Sequence, residues 1–163
     1  MQDGGGQEYN LRAGTLNVPG IVGLGKALEL VQKNKDKESA RLKKLAEYFI
    51  NKLKLIPDCK LNGPELENNR LVNNVSVTFN GVEGEALVIY LNEKGIMCST
   101  GSACNNNVSE RSHVLKAIGL PEKEAASTIR FSMGQTTAKT DLDYTVKCLL
   151  EIINKLNASL RAK

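Results

Sequence analysis

The chain has 163 residues, 41% of them hydrophobic and 25% charged, which is typical of a globular domain or a domain with an arm. Its net charge of +4 comes from lysines mixed with acidic residues, and aromatic residues make up only 4%. This pattern is typical of solvated helix faces and argues against nucleic-acid binding. No apolar run reaches the roughly 18 residues of a membrane span, and the N-terminus does not resemble a signal peptide. We therefore expect a cytoplasmic protein that binds neither nucleic acid nor membrane.

Residues 1–18 are rich in glycine and predict an irregular N-terminal arm. Apolar residues at helical spacing then predict a helix over 20–33 and a stronger one over 36–54, which Pro57 ends. The "GIVGLG" in the first helix is not a G-x-G-x-x-G phosphate loop, and we expect Gly23 and Gly25 to allow close packing instead.

Alternating residues predict two half-buried strands, one within 73–79 and one over 127–133. Between them we expect a helix over 83–95, a short strand over 96–98, and a helix that Ser109 caps and Gly119 ends. A long apolar stripe predicts a final helix over 139–160. This order predicts an α+β fold, with a small antiparallel or mixed sheet covered by helices.

The four cysteines should be reduced in the cytoplasm, and without a CxxC pair they predict no metal site. Two of them, Cys98 and Cys104, are the first and last residues of the small-residue segment "CSTGSAC". Cys104 precedes a predicted helix, where a thiolate nucleophile is favoured, although a small buried residue would also fit. Cys98 follows an apolar strand, which favours burial, and Cys59 and Cys148 lie in no motif.

Arg130 lies in the middle of a predicted strand, on the face opposite Ile129 and Phe131. A planar guanidinium there suits a substrate carboxylate, but an ordinary solvent-facing arginine is an equally good interpretation. His113 lies in a predicted helix, where a core or surface histidine is favoured over a general base. In the arm, Arg12 and Thr15 have side chains that could bind an anion.

Several of these segments together resemble one family. The pieces "LRAGTLNVPGIVGLGKA", "NNVSVTF", "STGSAC" and "STIRFSMG" are similar, in order, to the C-terminal part of group I cysteine desulfurases of the NifS/IscS type. These are aminotransferase class V enzymes of fold type I. The resemblance implies that residues 1–18 are the tail of a large cofactor domain, and that 19–163 form the small C-terminal domain.

The resemblance also implies a chemistry. Such enzymes use pyridoxal 5'-phosphate to remove sulfur from L-cysteine, which gives L-alanine and a persulfide on a loop cysteine that matches Cys104. Arg130 matches the arginine that binds the substrate carboxylate, and Thr15 matches a residue that reaches the cofactor phosphate of the neighbouring subunit. A homodimer and a sulfur-acceptor protein, such as an iron–sulfur scaffold or a thiolation partner, are implied as well.

One departure from the family is large, because the lysine that forms the Schiff base has no match in these 163 residues. We therefore expect the chain to be inactive by itself. An alternative interpretation is a non-enzymatic sulfur carrier that accepts a persulfide on Cys104 from another protein.

Overall fold

The computed structural model describes residues 4–67, 70–100 and 112–161, with side chains up to residue 158. The chain divides into two compact units, Met1–Lys37 and Glu38–Lys163. The predicted division into residues 1–18 and 19–163 concerns a larger protein and stays a prediction.

The first unit contains a hairpin, although the sequence predicts only an irregular arm there. Strands β1 (Gly6–Gln7) and β2 (Arg12–Ala13) pair antiparallel. The turn between them holds Glu8, Tyr9 and Asn10, all with positive φ. After β2, the Arg12 guanidinium donates hydrogen bonds from Nη1 to the carbonyls of Gly14 (3.0 Å) and Thr15 (3.3 Å). These bonds bend the backbone back upon the arginine.

Helix α1 (Val18–Leu53) begins in the first unit and joins the two helices that the sequence predicts separately. The polar residues between them contain no proline or glycine, so nothing interrupts the helix. Its first part carries an apolar stripe that stays exposed, formed by Ile21, Leu24, Leu28 and Val31. A Cβ added to Gly23 or Gly25 would meet no atom within 4 Å, so no close packing occurs there within the described residues.

The second unit is built on a four-stranded sheet. Its strands are β3 (Cys59–Leu61), β4 (Asn74–Phe79), β5 (Ser99–Thr100) and β6 (Thr128–Ser132). They lie in the order β3-β4-β6-β5, and every neighbouring pair is antiparallel. With helices packed on this sheet, the predicted α+β class is confirmed.

One face of the sheet is apolar because alternate residues of β4 and β6 point to the same side. These residues are buried with the later part of α1 and with the last helix, α5 (Lys139–Arg161). Phe131 of β6 meets Phe49 of α1 edge to face, with ring centroids 5.2 Å apart. This aromatic pair joins the sheet to α1 at the centre of the core.

The other face of the sheet is polar. Alternate positions on the two central strands are occupied by Asn74, Ser76, Thr78, Thr128, Arg130 and Ser132. At its edge, Lys60 of β3 pairs with Glu124 of the short helix α4 (Glu122–Ala126), with Nζ and Oε2 3.0 Å apart. The sheet therefore separates an apolar core from a surface rich in hydrogen-bonding groups.

Two further helices complete the unit, α2 (Gly84–Glu93) and α3 (His113–Ala117). Helix α2 begins so close to β6 that a Cβ on Gly84 would lie 2.9 Å from the Ala126 carbonyl and 3.0 Å from that of Thr128. Only glycine permits this approach without a shift of backbone. In the described part of the chain, no helix is long and apolar enough to cross a membrane.

The longer helices and strands lie where the sequence predicts them, except that the first two helices are one, whereas several short elements differ from the predictions. The predicted strand over 96–98 is wrong, since pairing with β6 occurs at Ser99 and Thr100. Strand β3 and helix α4 are not predicted at all. Helix α3 is capped by Ser112, which accepts a hydrogen bond from the Leu115 amide, whereas the predicted cap, Ser109, lies outside the described residues.

Candidate functional site

Arg130 lies near the centre of the polar face of the sheet. In the strand register it is opposite Ser76 of β4 on one side and Ser99 of β5 on the other. Its side chain is exposed while its neighbours Ile129 and Phe131 are buried, so the predicted orientation is confirmed. Both paired residues are small, which leaves the guanidinium accessible from above the sheet.

Arg130 lines a cleft of about 470 Å³. The β3–β4 connection (residues 62–73) contributes Asn62, Arg70 and Leu71 to the lining, and helix α3 contributes His113. Among the described lining residues there is no aspartate or glutamate, although two arginines are present. An exposed Arg130 guanidinium in a cleft whose described lining has no acidic side chain favours an anionic ligand such as a carboxylate.

A buried hydrogen-bond network lies beside this cleft. The Thr78 hydroxyl donates to Asn62 Oδ1 (3.0 Å) and lies 2.8 Å from the Thr128 hydroxyl, which donates to the Glu124 carbonyl (2.8 Å). Asn62, Thr78 and Thr128 are at most 3% exposed. Because buried polar groups are stable only when paired, this network fixes the positions of its members.

The cysteine segment, residues 101–111, is flanked on one side by a strand that pairs with the Arg130 strand and on the other by a residue of the Arg130 cleft. On one side, Ser99 and Thr100 pair with Arg130 and Ile129. On the other, Ser112 lines the same cleft as Arg130. Cys104, the predicted nucleophile, lies between these ends in 101–111, outside the described residues. The described residues on either side of 101–111 are thus a strand paired with the Arg130 strand and a residue of the Arg130 cleft.

The described cysteines are poor nucleophiles. Cys59 and Cys98 are half-buried, and burial raises the pKa of each thiol to about 11. Cys148 is buried in the core. At neutral pH the Cys59 and Cys98 thiols stay protonated, and only the thiolate reacts readily. Cys98 is thus only partly buried, whereas the sequence favours burial.

Two further residues that the sequence singles out are His113 and Thr15. His113 is the first residue of α3; it is exposed and lines the cleft, as a surface histidine can. Thr15 is exposed and belongs to the first unit, with Arg12 beside it.

Sequence reasoning missed the other wall of the cleft. Arg70 and Asn74 come from the β3–β4 connection and the start of β4, and Asn74 Oδ1 is buried without a partner among the described atoms. The pattern "NNR" gives no periodic signal that would place Arg70 in the cleft. The sequence signal for this wall is limited to an arginine in a connection that also contains asparagines and a glycine.

The family model described as aminotransferase class-V matches residues 3–145. The chain belongs to this family. Relatives named cysteine desulfurase IscS are similar along its length: the protein of Dictyoglomus turgidum is 50% identical over 94% of this chain, and that of Methanosarcina thermophila is 47% identical over 94%. The predicted family resemblance is therefore confirmed.

Solved structures of this family have the same fold. A NifS-like protein from Rickettsia africae superposes with a TM-score of 0.79 at 33% identity, over 94% of this chain. This chain covers 39% of that structure and 39% of the Dictyoglomus turgidum relative. The 163 residues thus span about two fifths of the length of these proteins.

Proposed function

We propose that these residues are the C-terminal part of a pyridoxal-phosphate-dependent cysteine desulfurase. The enzyme removes sulfur from L-cysteine and leaves it as a persulfide on Cys104, with L-alanine as the other product. Arg130 binds the substrate carboxylate. The similarity to relatives named cysteine desulfurase supports this assignment.

The observation that carries the proposal is the position of Arg130 beside the cysteine segment. A carboxylate held by Arg130 lies next to Ser99, five residues before Cys104. Binding at this point brings the substrate to the segment that carries the nucleophile, which replaces a chance encounter by an oriented one. An exposed guanidinium without a carboxylate partner in the cleft lining suits this role.

The sulfur transfer balances without an added oxidant. The Cys104 thiolate attacks the sulfur of L-cysteine, an S–S bond forms, and the C–S bond of the substrate breaks. The electron pair of that bond stays on carbon, which takes up a proton and becomes the methyl group of L-alanine. Cys104 is left as a persulfide, ready for an acceptor thiol.

Pyridoxal 5'-phosphate, when bound, supplies the electron withdrawal that makes the C–S bond of the substrate labile. Of the described residues, Thr15 fits a contact to its phosphate, because the hydroxyl is exposed at the bend that Arg12 makes. The lysine that would carry the cofactor lies outside this chain. Its residues therefore fit the edge of a cofactor site and do not complete one.

The proposal includes a homodimer in the cytoplasm, with an iron–sulfur scaffold or a thiolation protein as the sulfur acceptor. The exposed stripe of Ile21, Leu24, Leu28 and Val31 supports the view that more protein packs on the first unit. An apolar stripe of this kind normally faces another element.

The proposal is tested by L-alanine release from L-cysteine in the presence of pyridoxal 5'-phosphate. This chain alone should release none above the level of the cofactor in buffer. A chimera in which it replaces the matching part of the Dictyoglomus turgidum relative should release L-alanine, and Cys104→Ser in that chimera should abolish persulfide formation. Alkylation at pH 8 then reports Cys104, because Cys59 and Cys98 remain protonated.

The control is the unaltered relative, assayed under the same conditions. A chimera that binds the cofactor and is folded, yet releases no L-alanine, contradicts the proposal. If the chain alone gains a persulfide on Cys104, but only from an added persulfide donor while the chimera is inactive, the sulfur-carrier interpretation replaces it.

A further inference from the structure

Arg70 makes an unusual set of contacts in the wall of the cleft. Its guanidinium donates from Nε to the Pro64 carbonyl (2.6 Å), from Nη1 to the Asn74 carbonyl (3.2 Å) and from Nη2 to the Asn62 carbonyl. These oxygens belong to both ends of the β3–β4 connection, since Asn62 follows β3 and Asn74 begins β4. One side chain thus ties the two ends of the connection together.

The charge of Arg70 is not matched by a hydrogen-bonded carboxylate among the described residues. The nearest acidic influence is Glu65, which is itself 3.6 Å from Lys54. Burial lowers the pKa of Arg70, and the charge of Glu65 partly opposes this effect. Three carbonyl oxygens therefore solvate the buried part of the guanidinium, which needs the planar fork of an arginine.

These contacts set the position of the cleft wall next to Arg130. The Asn62 backbone carbonyl accepts from Arg70, and the Asn62 backbone N–H donates to the Ser76 carbonyl (2.9 Å). The Asn62 side chain belongs to the buried threonine network. Ser76 is the residue directly opposite Arg130. A shift of the connection would be transmitted to β4, the strand that pairs with the Arg130 strand β6.

The Arg70 guanidinium also packs closely against Gly63. Gly63 has φ of +76°, and a Cβ at this position would lie 3.2 Å from Arg70 Nη2. Glycine suits this position on both counts, because another residue is strained at this φ and its Cβ would press on the guanidinium.

We propose that Arg70 is a positioning residue for the carboxylate site at Arg130, and that it acts through its three carbonyl contacts rather than through its charge. This inference deepens the proposed function and rests on it for the role of Arg130. It assigns the described cleft residues of the β3–β4 connection, 62–64 and 70–71, as the second half of the substrate site.

Acetate is the test ligand, because it carries only the carboxylate. Its dissociation constant for this chain is measured by titration of amide and arginine Nε–H resonances, for the wild type, Arg70→Lys, Arg70→Met and Arg130→Lys. We expect Arg70→Lys and Arg70→Met to weaken acetate binding equally, by about tenfold, since small misplacements of binding groups have effects of this size or larger. Lysine keeps the charge but cannot reach three carbonyls.

Arg41, which also pairs with Glu38, supplies a control for a purely structural effect. Its guanidinium also donates to three loop carbonyls, those of Gly134, Gln135 and Thr137, but it does not line the cleft. Arg41→Lys should lower the melting temperature and leave the acetate dissociation constant unchanged. A loss of acetate binding in this variant too would overturn the specific role of Arg70.

The remaining outcomes separate the two proposals. If the wild type shows no acetate shift at Arg130, the carboxylate role in the proposed function is wrong. If the wild type binds acetate and Arg70→Lys binds it equally well, the inference about Arg70 is wrong. Should the Arg70 variants not fold, Gly63→Ala disturbs the same contacts with the charge retained, and wild-type affinity in that variant overturns the inference.

Discussion

The two faces of the sheet are built from the same strands and do different work. On one face, Val77, Ile129 and Phe131 are buried in the core; on the other, Ser76 and Arg130 open onto the cleft. Successive residues of β6 therefore either pack in the core or face the cleft. This unit could therefore change its ligand through alternate positions while its core stays intact.

The largest effect should come from the apolar face. Phe131→Ala removes the ring that meets Phe49 and leaves a cavity, so we expect the free energy of unfolding to fall by about 3–5 kcal/mol in urea denaturation. Ser132→Ala, at the exposed next position, should change it by less than about 0.5 kcal/mol. Equal losses in the two variants would contradict the division of the strand into two faces.

An intermediate effect is expected for the buried network of the polar face. Thr78→Val keeps the shape but leaves Asn62 Oδ1 without the hydroxyl that donates to it, at a cost of about 1–3 kcal/mol. The exposed Thr136→Val is the matched control and should be nearly neutral. If thermal unfolding shows no difference between them, the network contributes only to position and not to stability.

The smallest effect should come from the ion pair at the edge of the polar face. Lys60 and Glu124 are 58% and 26% exposed at their side chains, so Lys60→Met should cost about 1 kcal/mol or less, and the difference should shrink in 1 M salt. Lys60→Arg retains the charge and should behave like the wild type. A larger, salt-insensitive loss would show that Lys60 contributes through packing of its aliphatic stem.

The sequence predicts the longer elements well because their periodicity follows from burial. Alternation places Arg130 opposite Ile129 and Phe131, and the stripe of α5 marks its buried side. The two-residue strand β5 and the five-residue helix α4 have too few positions for their periods to be visible. They form because longer neighbours supply hydrogen-bond partners.

The sequence predicts Arg130 as a site residue, but it does not predict the cleft around this side chain. Arg130 and its orientation follow from one strand, but the cleft requires the β3–β4 connection, which lies more than fifty residues earlier in the chain. Arg70 was missed because its partners are backbone carbonyls, which every residue has and no pattern marks. Contacts of this kind depend on tertiary folding alone.

The strand order has a consequence for how the protein behaves at high concentration. Among the described residues, the longer strands β4 and β6 are central, while the outer strands β3 and β5 have three and two residues, and β3 carries Lys60. Unpaired outer strands can recruit strands of other molecules and start aggregation, and short or charged ones do so poorly. The two faces of the sheet can thus diverge in sequence without exposing a long edge to neighbouring chains.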